Sequence, residues 1–164
     1  MLPSPKPITP FNLCRANETD IVHIRQLPVR QQVETKEQFI ETVRYVHAMG
    51  HYHNQERATD NWLSADVIAL DIDNDGQPTS VWDKPEDWTT IQQFQADFSD
   101  YEFWIVESKN HNKNKRSNSG IRVARPKFHV YFPLQKQLTD PNKYQQSIQT
   151  IVGSYFRSDG ISRF

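Results

Sequence analysis

The run Ala65-Asp66-Val67-Ile68-Ala69-Leu70-Asp71 is nearly continuous in apolar residues, a pattern that predicts a strand covered on both faces. On either side of it the hydrophobic positions take a different period. Phe39, Ile40, Val43, Val46 and Met49 return at helical spacing and predict a helix from about Thr35 to Met49, ended by Gly50. Trp88, Ile91, Phe94 and Phe98 make one stripe of a second helix over Pro85 to Phe98. Tyr101 to Glu107 and Lys127 to Leu134, rich in aromatic and β-branched residues, predict two further strands. A third helix is expected to start near Thr139 or Asp140, with Pro141 in its first turn, and to run to about Tyr155 through Tyr144, Ile148, Ile151 and Val152. Strands and helices interleave, so the expected fold class is α+β, built of α/β layers.

Composition adds few constraints. A chain of 164 residues is one domain's worth or a fragment of a larger one, and a domain of that size buries roughly 70% of its unfolded surface. The core therefore needs no covalent staples. The single cysteine, Cys14, excludes an internal disulfide framework and a multi-cysteine zinc knuckle, and favours a reducing, cytoplasmic setting. The first ten residues hold four prolines and no apolar run long enough for a signal peptide or a membrane span. Residues 1–20 read as an extended arm, residues 21–164 as the domain, and no membrane partner is expected.

Charge changes the picture through its distribution. The formal net charge is only −1, yet Lys109, Lys113, Lys115, Arg116, Arg122, Arg125 and Lys127 follow one another with no acid among them. Asn110 to Gly120 within this stretch is polar and low in complexity, and reads as a mobile loop. The acids gather elsewhere, from Asp71 to Asp75 and from Asp83 to Asp100. An acidic site beside a separate basic loop suits a polyanionic, metal-bound substrate.

The candidate chemistry begins at Asp71-Ile72-Asp73. Two carboxylates two residues apart on a strand share a face, where they can hold one or two divalent cations. Asp71-x-Asp73-x-Asp75-Gly76 also matches the opening of a calcium-binding helix-loop-helix. The twelfth position is Trp82 instead of glutamate, the eighth is Pro78, and the preceding segment is strand-like, so that motif fails. Acids that merely decorate a turn are the plainer alternative. Against it, Asp71 directly continues an apolar run, where an unpaired carboxylate is costly and a metal would remove the cost. His129, inside Phe128-His129-Val130-Tyr131-Phe132, has the usual reading of a hydrogen-bonded core histidine. The preceding basic stretch brings Arg122, Arg125 and Lys127 toward it, and such a convergence describes a phosphate site. Asp159 reads alone as a loop acid, but it is placed between a helix and Ile161-Ser162-Arg163-Phe164, where a third carboxylate would complete a two-metal site. His47, His51 and His53 read as solvated or packing side chains, since Gly50 interrupts the i, i+4 pair and no third ligand accompanies it. Trp82, after the acid pair, is a candidate for stacking on a base.

Apolar-Asp-x-Asp, then a strand histidine, then an isolated Asp before Ser162-Arg163-Phe164, in that order, resembles the archaeo-eukaryotic primase superfamily. The nearer likeness is to the primase-polymerase domains of phage and plasmid replication proteins, over roughly residues 60 to 164. The resemblance implies a metal-dependent nucleotidyltransferase, a DNA primase/polymerase. Its catalytic, metal-binding carboxylates would be Asp71, Asp73 and Asp159, holding Mg²⁺ or Mn²⁺, and His129 would contact the phosphates of the incoming nucleotide. Lys127, Arg125 and Arg122 are the accompanying nucleotide-binding candidates. DNA template and primer, nucleoside triphosphates and a helicase partner or domain are the implied partners. The implied fold is a two-lobed module with its site between an α/β lobe and an RNA-recognition-like sheet. Two departures stand out. Lys127 occupies a position where the family's second motif usually carries a small hydroxyl residue, and the chain ends at Phe164, where family members continue, which implies a minimal, truncated or fragmentary form. Two other readings use the same residues: a non-catalytic single-stranded nucleic-acid-binding module with a structural cation, and a metal-dependent nuclease.

Overall fold

Phe11, Leu13 and Cys14 turn inward along Phe11–Arg15, and this segment is a strand (β1) at the centre of a three-stranded antiparallel sheet. The computed structural model describes residues 9–19, 24–74, 85–117, 120–155 and 161–162. Over these the chain is a mixed α+β fold with two antiparallel sheets, a two-stranded ribbon and three helices. β2 (Val29–Val33) pairs with β1 along its whole length, Phe11 opposite Val33 and Arg15 opposite Val29, and β3 (His47–Ala48) takes the other edge. The extended arm expected over residues 1–20 is thereby corrected from Phe11 onward. The prolines stop at Pro10, and the residues after it offer both ladder donors and an apolar face.

α1 (Lys36–Val43) opens on a capping box: the Gln38 N–H donates to Thr35 Oγ1 at 3.2 Å, and Gln38 Oε1 accepts from the Thr35 N–H at 3.1 Å. It ends at the cap Arg44, well before Met49. Val46 and Ala48, within the expected helix, lie beyond its end: the Ala16 N–H donates to the Val46 carbonyl at 2.8 Å, and Ala48, in β3, pairs with Cys14. Gly50 has another duty. It opens β4 (Gly50–Tyr52), which pairs with β5 (Trp62–Ile72), and a Cβ there would lie 2.7 Å from Trp62 Nε1, so the close approach of these strands requires glycine.

Beyond β5, the helix expected over Pro85 to Phe98 is split. Pro85–Asp87 is a single 3₁₀ turn, and α2 (Ile91–Asp97) starts afresh because Thr90 caps it, its hydroxyl accepting from the Gln93 N–H at 3.1 Å. β6 (Trp104–Glu107) follows. The supposed mobile loop contains an antiparallel ribbon of β7 (Lys115–Ser117) and β8 (Gly120–Arg122). β9 (Phe128–Leu138) runs on past the expected end at Leu134, and α3 (Pro141–Tyr155) matches expectation, with Asp140 Oδ1 accepting from the Asn142 N–H at 2.8 Å. β10 (Ile161–Ser162) completes a sheet of order β10-β5-β9-β6, in which β4 also pairs with β5. No helix among the described residues is long and apolar enough to cross a membrane.

The chain divides into two compact units, one of residues 1–68 and 133–144, the other of residues 69–132 and 145–164. In the first, Phe11 and Phe39 meet edge to face at 6.4 Å, and Trp62 packs on Tyr144 at 5.8 Å. A polar network runs through this unit. Cys14 Sγ lies 3.3 Å from His51 Nδ1, His51 Nε2 lies 3.1 Å from Asp66 Oδ1, and Asn12 donates to Asp66 Oδ2 at 2.7 Å. His51, expected to be solvated or packing, is thus a buried bridge. Burial pushes the Cys14 thiol up. Burial alone would raise Asp66 too, but hydrogen bonds from His51 and Asn12 outweigh it and hold the carboxyl below its ordinary value. A depressed folded value stabilises above the unfolded value of 3.8, and that stability is lost as pH falls through the lower folded value. Asn12→Ala is therefore expected to cost about 1–2 kcal/mol in urea denaturation at neutral pH. The difference from wild type should shrink once Asp66 is protonated; a constant difference down to strongly acid pH would show that the hydrogen bond is not its source.

In the second unit the core is aromatic. Phe94 and Phe128 are fully buried, and Phe98, Phe103 and Phe132 ring Phe94. Leu70 and Ile72 of β5 lie in the core, which leaves the intervening acid on the opposite face.

Candidate functional site

Asp71 is the penultimate residue of β5 and Asp73 follows the strand end. Asp71 Oδ1 lies 3.3 Å from His129 Nε2, and Lys127 Nζ donates to Asp73 Oδ1 at 2.9 Å. Moving two residues forward on β5 moves the contact two residues back along β9 and its approach, as antiparallel neighbours require. Both acids therefore share one face with Lys127 and His129, and all four belong to the second unit. None is fully exposed: the side chains of Asp71, Asp73, Lys127 and His129 retain 21%, 27%, 13% and 25% of their accessible surface.

The turn after the acids is held by Asn74, which the sequence reading passed over. Its backbone is left-handed, φ 50°, a conformation asparagine tolerates. Its Nδ2 donates to the carbonyls of Thr89 at 3.0 Å and Pro126 at 2.8 Å, and its Oδ1 accepts from the Thr89 N–H at 2.9 Å. One side chain thus ties the acidic strand end to the residue before Lys127 and to the approach to α2. The only sequence signal was an asparagine directly after Asp-x-Asp. Lys127 is fixed from behind as well: its carbonyl accepts from the Ser108 N–H at 2.9 Å, and its N–H donates to His111 Nδ1 at 3.2 Å.

The remaining candidates are distributed unevenly. Arg125 is buried, 2% exposed, and its carbonyl accepts from the Asn112 N–H at 2.9 Å. Arg122 pairs with Lys115 in the ribbon by its backbone, while its side chain lies outside the described residues, as do Asp159 and Trp82. Ser162 pairs with Asp71 and Ile161 with Ile72, so β10 flanks the acidic end of β5 on the side away from β9.

The described residues supply oxygen donors of the kind a hard divalent cation takes. Carboxylate oxygens are the donors that Mg²⁺ and Mn²⁺ prefer, and Asp71 Oδ1 is a buried oxygen that accepts no hydrogen bond from the described residues. Such an atom is costly to fold unless something else completes it. Burial first, and then the neighbouring Asp71, push the Tyr131 phenol well up. Among the described residues no group of three or more His, Cys, Asp or Glu side chains converges as a metal site; these residues contribute an acid pair, faced by an imidazole and an ammonium. No family model, curated protein or solved structure matches the chain.

Proposed function

We propose that the chain is a metal-dependent nucleotidyltransferase acting on a DNA template and primer, with the face that carries Asp71, Asp73, Lys127 and His129 in the second unit as its catalytic platform. The observation that carries this reading is the acid pair at the end of β5, one of whose oxygens is buried without a hydrogen bond from the described residues, set against His129 and Lys127. Asp71 and Asp73 would hold Mg²⁺ or Mn²⁺, with Asp159 as the third carboxylate by resemblance. A bound cation of this kind activates an attacking 3′-hydroxyl and offsets triphosphate charge. His129 offers an imidazole N–H, and Lys127 an ammonium, to the phosphates. Asn74 and His111 keep these groups in place. An RNA-recognition-like architecture, and a helicase partner, belong to the same proposal.

The test is incubation of the full chain with an end-labelled primed template, nucleoside triphosphates and Mn²⁺. Elongation that stops on chelation of the metal is the expected result. Shortening of the labelled strand would replace the proposal with a nuclease. Salt-sensitive strand binding indifferent to metal and to His129, without synthesis, would replace it with a binding module.

A further inference from the structure

Lys127 is the departure from the primase pattern, and its side chain has a definite position: Nζ sits 2.9 Å from Asp73 Oδ1, with the lysine 13% and the aspartate 27% exposed. A pair so sheltered is screened less than a surface ion pair. The backbone of Lys127 is anchored by Ser108 and His111, whereas its four-carbon stem is long and flexible, so the ammonium can move while the strand stays still. We infer that Lys127 is a cation placeholder. Its ammonium neutralises Asp73 when no metal is bound, leaves when a divalent cation takes the carboxylate, and passes to the triphosphate that arrives with the metal. This rests on the proposed metal role of Asp71 and Asp73.

The electrostatics give the exchange its direction. A carboxylate oxygen is held at about 2.0–2.1 Å by Mg²⁺, closer than the ammonium and with twice its charge. Asp73 would therefore exchange the ammonium for a divalent cation, and the displaced Lys127 ammonium would face a site that had gained positive charge. A polyanion is what that ammonium then needs, so metal binding and triphosphate binding become coupled, each favouring the other.

The exchange is tested with the full chain and Mn²⁺ as the probe, reading free Mn²⁺ by its electron paramagnetic resonance signal, and triphosphate binding by equilibrium dialysis of labelled ATP. Wild type, Lys127→Met, Lys127→Arg, Asp71→Asn and Asp73→Asn are compared after thermal melts verify folding. Without nucleotide, Lys127→Met should bind Mn²⁺ about tenfold more tightly than wild type, since a competing charge is gone. Lys127→Arg, which keeps the charge, should not. With Mn²⁺ saturating, Lys127→Met should bind ATP about tenfold more weakly. If Mn²⁺ binding depends on Asp71 and Asp73 but is unchanged or weakened in Lys127→Met, the placeholder is overturned and the metal site stands. Tighter Mn²⁺ with unaltered ATP binding overturns the hand-over to the triphosphate. If Mn²⁺ binding is missing from wild type and Lys127→Met alike, or ignores Asp71→Asn and Asp73→Asn, the site reading fails and this inference fails with it.

Discussion

Replacing Asp71 with alanine is expected to lower template-directed synthesis by roughly a thousandfold or more, while the melting temperature stays within about 3 °C of wild type or rises. The two halves of this result come from one atom. Asp71 Oδ1 is buried, accepts no hydrogen bond from the described residues and has His129 Nε2 at 3.3 Å. Removing an under-satisfied carboxylate relieves a desolvation cost, which offsets whatever the His129 contact contributed. If Asp71 holds a catalytic cation, the same deletion takes away transition-state charge stabilisation worth several kcal/mol. A carboxylate kept against the interest of folding is the physical mark of a functional group. Synthesis retained within tenfold in Asp71→Ala would remove the assigned site. Lost synthesis together with a large fall in melting temperature would make Asp71 a structural residue. Asp71→Asn, which keeps the shape, serves as the control.

What could be read from the chain beforehand depended on how far a residue's neighbours lie along it. β5, β9 and α3 carry enough apolar residues in one period to declare themselves. Asp71 and His129 were legible for the same reason, each interrupting an apolar strand. The end of the first helix was not, because Val46 and Met49 keep helical spacing and only the pairing of β3 with β1, more than thirty residues away, assigns His47 and Ala48 to a strand. Nor could the sequence tell that Asp73 meets Lys127 while Asp71 meets His129, since the partners follow from the relative register of two distant strands. Asn74 escaped notice because its hydrogen bonds run to backbone groups at Thr89 and Pro126, and backbone partners leave no residue-type signature. His51 gave no sign of its place between Cys14 and Asp66, for it sits on a three-residue strand too short to show a period.

Phe94→Ala is expected to destabilise the protein by about 3–5 kcal/mol, the largest stability effect of any single side chain considered. Phe94 is 0% exposed and touches aromatic rings on several sides. It stacks on Phe98 at 4.4 Å, meets Phe103 edge-on at 5.4 Å, and has Phe128 and Phe132 each at 6.1 Å. Truncation removes dispersion contacts with each ring at once. The cavity left behind can close only partly, because Phe128 is pinned in β9 by its pairing with Glu107. Against a total stability of about 5–15 kcal/mol for an ordinary domain, such a loss leaves much of the population unfolded on warming. Phe94→Leu, which refills most of the volume, should cost only about 1–1.5 kcal/mol. Urea denaturation of the two variants gives the comparison, and a cost below about 1 kcal/mol for the alanine variant would mean that the ring cluster does not pack as described. The consequence for the site separates structural from chemical residues. Phe128 immediately precedes His129, so unfolding around Phe94 must also dissolve the face carrying Asp71 and His129. An excluded osmolyte such as trimethylamine N-oxide favours burial. It should therefore restore Mn²⁺ binding to Phe94→Ala by refilling the folded population, and leave Asp71→Ala, whose fold was never lost, as deficient as before.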